Sequence, residues 1–501
     1  RFRAGEETSP VGRTKTLPAE GARQAKLAVV SCSNYPQGFF NVYKEIARRD
    51  DLDAVLHLGD YFYEYPQGGY ANDYALTALG RSVRPESEVI ALADYRTRYA
   101  LYRSDPDLQA VHAAHPMIAV WDDHESANNS WKGGAENHDP GDGEGDWAER
   151  RRAAVRAYRE WMPIRESGAN EPRAIYRHFD FGGLADLFML ETRLIARSEQ
   201  LVYEEDLLYR RAAFDVSDRD NPRLLQDPAR LEQLPADAIE RLRVPYDLRG
   251  EKPRPIRDYA WIKSLEATGL PEGFGYLPDA ERFRDRKLAR ADRAMLGADQ
   301  LDWLEDGFAR SKAPWQLLGQ QVLMGRLRVP DLMDVADFSK SSFLSRERGR
   351  QMTRLGELGL PLNLDSWDGY PAARERVYAA ARRSARNFVS LAGDTHNAWV
   401  FNLADADGRA VGVEFGTTSV SSPGIESYLP APSGVTAERF VAANPELVAM
   451  DAARRGWLEL AITGDRLTAR WHFVSTVLSK RYHRMNGPQF HMAAGASRIA
   501  Q

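Results

Sequence analysis

The chain has one cysteine in 501 residues, Cys32, so it forms no intrachain disulfide and its fold must stand on packing alone. No stretch reaches the roughly 18 consecutive apolar residues of a membrane helix, and the opening Arg1–Gly21 is polar, without the apolar centre of a signal peptide. A basic excess is missing as well. Lys and Arg number 67 against 72 Asp and Glu, a net charge of −5, which argues against a nucleic-acid backbone as the main partner. Internal repeats and low-complexity tracts are absent too. What remains is a globular balance, 43% hydrophobic and 10% aromatic, enough for one large decorated domain or for several smaller ones.

The residues that are present alternate between strand and helix patterns. Lys26-Leu-Ala-Val-Val-Ser31 is a short apolar run rich in β-branched residues, followed by a loop over Cys32–Gly38. Apolar positions 39, 42, 43 and 46 predict a helix over Phe39–Arg49, and Asp53-Ala-Val-Leu-His-Leu58 is a second buried-type strand ending at Gly59-Asp60. Strand, loop, helix, strand is the order of a βαβ unit, so an α/β fold with a parallel sheet is expected. The same punctuation recurs. Met117–Trp121 runs into Asp122-Asp-His-Glu125, Gln316–Leu318 into Gly319-Gln-Gln321, and Asn387–Leu391 into Ala392-Gly-Asp-Thr-His396. Ligands of open α/β sheets bind beyond the carboxyl ends of the strands, so five distant polar clusters are expected at one site. Arg1–Pro18 is charged and turn-rich, with Val11, Thr14 and Thr16 as its one strand-like pattern. From about residue 196 to 290 the sequence turns charged and Pro-punctuated. This segment reads as an insertion carrying short helices: a lid, an oligomer contact or a solvated surface excursion.

The clusters carry chemistry that packing does not ask for. An aspartate such as Asp60 at a strand's end can bridge two cations with its two oxygens, and Tyr63, three positions on, can fold back onto one of them. Asp122-Asp-His-Glu125 sets three carboxylates beside a histidine. Their mutual repulsion would raise their pKa values unless a cation or a buried base compensates. Asp394 and His396 stand at i and i+2, on one side of an extended segment, which suits chelation. Cys32 shares this topological address and so becomes a candidate thiolate ligand. The expected ligand set is Cys32, Asp60, Tyr63, Asp123, Asp394 and His396, with Gln320 or Gln321. Thiolate, phenolate and imidazole suit a transition metal, whereas carboxylates and amide oxygens suit a hard divalent ion. Neighbouring cations of this kind form a clamp for displacement at phosphorus, activating water and neutralising the phosphoryl oxygens.

Ser31-Cys-Ser-Asn34, Gly59-Asp-Tyr-Phe-Tyr-Glu64, Trp121–Trp131, Trp315–Val322, Asp365-Ser-Trp-Asp-Gly-Tyr370, Gly393-Asp-Thr-His396 and Thr418–Gly424 occur in this order along the chain. As an ordered set, these motifs resemble PhoD-type alkaline phosphatases and phosphodiesterases of the calcineurin-like metallophosphoesterase superfamily. The resemblance implies two packed sheets flanked by helices, holding one Fe3+ and Ca2+. Carried over, Cys32, Asp60, Tyr63 and His396 are the implied iron ligands, with Asp60 shared. Asp123 and Asp394, with Gln320, lie on the implied calcium side. His124 matches the superfamily histidine that faces the phosphoryl group and stabilises developing charge or protonates the leaving oxygen. Arg193, in Glu191-Thr-Arg where the family usually shows Asp-Thr-Arg, is expected as a phosphate clamp. Residues 1–21 would be the last strand and linker of an N-terminal β-sandwich domain, and 22–501 the catalytic domain. A periplasmic or extracellular location follows from the family's usual export.

The implied activity is metal-dependent hydrolysis of phosphoric esters by activated hydroxide, and monoesters and diesters both fit as substrates. Alternative readings are a phospholipase D-like phosphodiesterase acting on lipid headgroups and a non-catalytic phosphoester-binding module. A carboxylate-only glycosidase would need two acids and neither Cys32 nor Tyr63 at strand ends.

Overall fold

The computed structural model describes residues 1–162, 164, 175–250, 252–340 and 344–499. The chain divides into two compact units, one of residues 1–200 with 291–501 and one of Leu201–Arg290.

The first unit is built on two sheets. In chain order their strands are β1 (Gln24–Val30), β2 (Ala54–His57), β3 (Met117–Ala119), β4 (Arg177–Asp180), β5 (Ala185–Met189), β6 (Trp315–Gly319), β7 (Phe388–Ala392), β8 (Ala398–Ala404), β9 (Ala410–Gly416), β10 (Leu447–Asp451), β11 (Arg455–Thr463), β12 (Arg466–Val474) and β13 (Arg484–Ala493). The six-stranded sheet runs β13-β12-β11-β1-β2-β3 and the seven-stranded sheet β10-β8-β9-β7-β6-β5-β4. β1, β2 and β3 are mutually parallel, as are β9, β7, β6 and β5, while the flanking strands pair antiparallel.

Alternation along the parallel strands decides the layers. Leu187, Met189, Leu317, Val389, Leu391 and Val413 share one core with Leu27, Val29, Leu458 and Trp471 of the other sheet. Their strand neighbours Phe188, Leu318, Phe388 and Ala392 face the opposite way, into a second core with Leu304 and Phe308 of the Ala298–Arg310 helix and Val377 and Tyr378 of the Pro371–Ser384 helix. A strand covered on both faces has no polar side to show, which is why these runs read as continuously apolar.

The predicted strands are present to within two residues at each end. The first helix is shorter than its pattern, Asn41–Ala47, because Pro36 and Gly38 divert the preceding residues into a tight turn over Tyr35–Gln37. Residues 11–19 form no strand. Arg13 makes a single backbone bond to Ala113 and Lys15 pairs with Asp53, contacts that hold an extended segment without a ladder, and the strands nearby are a two-residue hairpin, Arg3–Ala4 with Glu7–Thr8. The Leu201–Arg290 unit carries two three-stranded antiparallel sheets besides its helices, the longest of which is Tyr259–Thr268. Phe214, Ile262, Leu265 and Phe283 are buried within it.

One buried and one half-buried histidine make the first unit acid-sensitive. Burial pushes His57 down to about 3, and burial together with the Arg103 charge pushes His112, whose Nε2 meets the Tyr61 hydroxyl at 2.8 Å, down to about 3. An unfolded imidazole titrates near about 6.5, so from there down to the folded values the unfolded chain binds more protons. Stability is therefore fully present above about 6.5 and falls with acid, by up to about 1.4 kcal/mol per pH unit for each imidazole. A His112→Gln variant is expected to show a shallower decline of thermal midpoint between pH 6 and pH 4 than the parent; an unchanged slope would remove His112 from the account.

Candidate metal centre

The loops that follow the parallel strands gather at one edge. Cys32 follows β1, Asp60 and Tyr63 follow β2, and Asp122–Glu125 follow β3. From the other sheet come Glu191–Arg193 after β5, Gln320 and Gln321 after β6, Asp394–His396 after β7 and Thr417–Ser422 after β9. Both sheets are tied together at this edge by a parallel bridge between Ser31 and Ser419 and by the Val420 N–H donating to the Ser31 carbonyl at 3.0 Å. Two glycines allow the close approach. A Cβ on Gly59 would lie 2.6 Å from the Asp122 nitrogen, and one on Gly393 2.8 Å from the Ser31 Cβ.

Among the described residues, three overlapping groups bring their donor atoms within 4.8 Å of one another: Cys32, Asp60 and His396; Asp60, Asp123 and His124; Asp122, Asp123 and Asp394. Tyr63 joins them, its hydroxyl donating to Asp60 Oδ2 at 3.1 Å and lying 3.0 Å from His396 Nε2. Six of the eight residues expected from sequence as ligands or proton donor thus meet through Asp60 and Asp123, and Tyr63 makes a seventh. The backbone is strained at the same places. Among the described residues, the non-glycine residues with positive φ are Cys32, Asp60, Asn129, Asp394 and His396, at 49° to 64°, and Asn129 donates its N–H to Asp123. Left-handed backbone at bulky residues persists only where the surroundings impose it.

The centre is short of positive charge. Burial and the neighbouring carboxylates push Asp60 and Asp394 well above the ordinary range and Asp122 to about 7, against the pull of His124 on the first and Arg193 on the others. Asp60 Oδ1, Asp122 Oδ2 and Asp123 Oδ1 are buried without a hydrogen bond. Orphaned acceptors in a crowd of carboxylates fit a cation, and the mixed sulfur, phenol, imidazole and carboxylate donors fit two kinds of it.

His124 is set by Glu64. Nδ1 lies 2.7 Å from Glu64 Oε2, while Glu64 Oε1 accepts from the Asn128 N–H and from Asn137. Burial disfavours the imidazolium, but Asp123, Glu64 and Asp60 outweigh it and raise His124 well above its usual value. The ring lies 4.1 Å from that of Tyr63 and 5.3 Å from that of Tyr65.

Two expected residues sit differently. Gln320 is wholly buried with its amide committed elsewhere: Oε1 accepts from the Trp367 indole at 3.0 Å and the Val322 N–H at 3.1 Å, and Nε2 faces Ser390 and Glu414. Gln321 accepts from Thr192 and donates to the Leu190 carbonyl. Both amides thus have protein partners, Gln320 the Trp367 indole and Glu414, and Gln321 the Thr192 hydroxyl and the Leu190 carbonyl. Arg193, expected to clamp phosphate, has no exposed surface. Its Nε donates to Asp122, its Nη1 forks onto Asp365 at 2.8 and 2.9 Å, and Nη2 stands 3.5 and 3.6 Å from Asp123 and Asp394. That geometry makes it an organiser of carboxylates.

Sequence reasoning missed the supports. Glu125 accepts the N–H groups of Tyr61, Asp122 and Asp60 at 2.7 to 3.0 Å, clamping two site loops together. Glu191, the departure from the usual Asp, accepts from the Trp121 indole and from the N–H groups of Arg193, Leu194 and Ile195, and so caps the turn that carries Arg193. Ser422 donates to the Tyr63 hydroxyl at 2.8 Å. The sequence did flag the residues themselves, Glu125 as the fourth member of the Asp-Asp-His-Glu cluster, Glu191 as a departure from Asp-Thr-Arg and Ser422 within Thr418–Gly424, but not what they hold.

A solved structure of PhoD aligns with 99% of this chain and 76% of its own, at 27% identity and a TM-score of 0.68. Alkaline phosphatase D of Bacillus subtilis (strain 168) is 32% identical over 436 residues, 85% of this chain; the chain spans 56% of that protein's length. The PhoD-like phosphatase family profile matches residues 27–471. With a match over most of its length and both relatives in agreement, the chain belongs to the PhoD-like phosphatase family.

Proposed function

We propose that the chain hydrolyses phosphoric esters as an alkaline phosphatase with phosphodiesterase activity, using Fe3+ held by Cys32, Asp60, Tyr63 and His396 and Ca2+ held by Asp60, Asp123 and Asp394. The observation that carries this reading is the convergence of three overlapping donor groups on Asp60 and Asp123. Bound there, the cations would neutralise phosphoryl oxygens and favour deprotonation of water. The rest falls to the chain's own side chains. With Nδ1 fixed by Glu64, His124 presents Nε2, 4.0 Å from Asp123, and a proton held at that atom serves the departing alcohol oxygen. Arg193 holds Asp122 and Asp365 and leaves Nη2 toward Asp123 and Asp394, so it keeps the carboxylates spaced as a positioning residue. The family resemblance supports a periplasmic or extracellular location. No helix among the described residues is long and apolar enough to cross a membrane.

The test joins activity to colour. Purified protein is expected to hydrolyse an aryl phosphate, to lose that activity on chelation, and to absorb visible light through charge transfer from thiolate and phenolate to ferric iron. Tyr63→Phe should shift and weaken the band. A colourless zinc protein would overturn the iron assignment, and absence of phosphoester hydrolysis under every metal loading would overturn the function.

A further inference from the structure

Beside the turn that carries Asp60 lies a fully buried run of hydrogen bonds among side chains that carry no expected role. The Gly59 N–H donates to His57 Nδ1 at 3.3 Å, so this nitrogen bears no proton. Burial keeps the ring neutral, and its one proton therefore sits on Nε2, 2.9 Å from the Tyr43 hydroxyl. Tyr43 oxygen accepts there, so its own proton goes to its other partner, Ser33 Oγ, at 2.9 Å. Ser33 in turn has its hydroxyl proton free for the Tyr61 carbonyl at 3.0 Å. Each donor direction follows from the one before. The run starts at the Gly59 amide and ends at the Tyr61 carbonyl, spanning the turn that holds Asp60 at φ 54°. Ser33, Tyr43 and His57 are all wholly buried, and the Ser33 N–H donates to the Asp60 carbonyl at 2.9 Å while the Cys32 N–H donates to that of Gly59 at 3.1 Å.

We infer that His57, Tyr43 and Ser33 form a one-directional hydrogen-bond relay whose function is to hold the left-handed Gly59–Tyr61 turn, and through it Asp60 and Cys32, in register for the metal centre; these are positioning residues. The inference rests on the proposed function for its catalytic consequence, but the relay itself is testable without metal. In a buried network each link relies on the next, because a donor deprived of its acceptor is left unpaired in low dielectric. Breaking any one link should therefore cost about as much as breaking two.

The experiment uses the full chain with Tyr43→Phe, Ser33→Ala and the pair combined. Tyr43→Phe keeps the ring in its packing and removes the hydroxyl alone. In metal-free protein, amide hydrogen exchange over residues 58–63 is expected to quicken in all three variants alike, with the rest of β1 and β2 unchanged. In metal-loaded protein, kcat for an aryl phosphate is expected to fall roughly 10–100-fold, the usual scale for outer supports of a metal site, with KM nearly constant and the visible band displaced. Ser33→Thr, which restores a hydroxyl, should recover most of the loss. Unaltered exchange at 58–63 in Tyr43→Phe and Ser33→Ala, or losses that simply add in the pair, would overturn the relay. A parent protein without activity or colour would instead overturn the functional reading, leaving the exchange result to decide the relay by itself.

Discussion

Asp60→Asn is expected to abolish turnover while the fold persists. The substitution is nearly isosteric, and asparagine tolerates the left-handed conformation that φ 54° demands, so the turn after β2 has no conformational reason to move. What changes is charge. Asp60 belongs to two of the three donor groups, those with Cys32 and His396 and with Asp123 and His124, and its Oδ1 is buried without a hydrogen bond. A neutral amide there weakens both cation positions at once. Cation stabilisation of phosphoryl charge is worth several kcal/mol, and each 1.36 kcal/mol is tenfold in rate, so kcat should fall by about a thousandfold or more. Asp394→Asn gives the contrast. Asp394 belongs only to the group with Asp122 and Asp123, so this variant should lose turnover yet keep the visible band. Metal content, absorption and kcat measured together on both variants decide the matter. Full activity in Asp60→Asn, or a band retained there and lost in Asp394→Asn, would sink the shared-ligand assignment.

That contrast was partly legible in the sequence. Cys32, Asp60, Asp122–Glu125 and Asp394–His396 each follow an apolar run directly, and a parallel strand fixes where the next residue goes. Convergence of the loops from β1, β2 and β3 needed no knowledge of tertiary packing beyond strand direction, whereas the loop after β7 joins them only because the two sheets pack with these edges together. Other features were hidden for specific reasons. The sequence left open which of Gln320 and Gln321 turns toward the site, and the partners that fix Gln320, the Trp367 indole and Glu414, lie 47 and 94 positions away. Arg193 reads like any surface arginine because the carboxylates that bury it, Asp122 and Asp365, lie 71 and 172 positions away. The strands within Leu201–Arg290 run to five residues at most and include Pro245 and Pro255, too short to show a period.

Arg193→Met should be the most destabilising single change at the centre. The guanidinium is fully buried, and its Nε and Nη1 satisfy Asp122 and Asp365 by direct hydrogen bonds. Methionine fills much of the stem's volume, so the loss is electrostatic rather than a cavity. Asp365 retains Arg197, whose Nη2 also donates to it, but Asp122 is left with no cation in contact among the described residues. Removing one partner of a buried pair typically costs about 3–5 kcal/mol, because the survivor stays desolvated and unpaired. Asp122 already titrates near 7 with Arg193 in place. Without that charge it should take up a proton in the folded state at neutral pH, which caps the penalty and makes it grow as pH rises. The expected record is a lowered thermal midpoint that worsens between pH 6 and pH 9, and substantial recovery in the double variant Arg193→Met with Asp122→Asn, where neither charge is buried. Arg193→Lys should rescue little, since a single ammonium cannot reach Asp122 and fork onto Asp365 at once. A double variant no more stable than Arg193→Met, or a lysine as stable as the parent, would show that Arg193 acts through its packing and not as the buried counter-charge of these carboxylates.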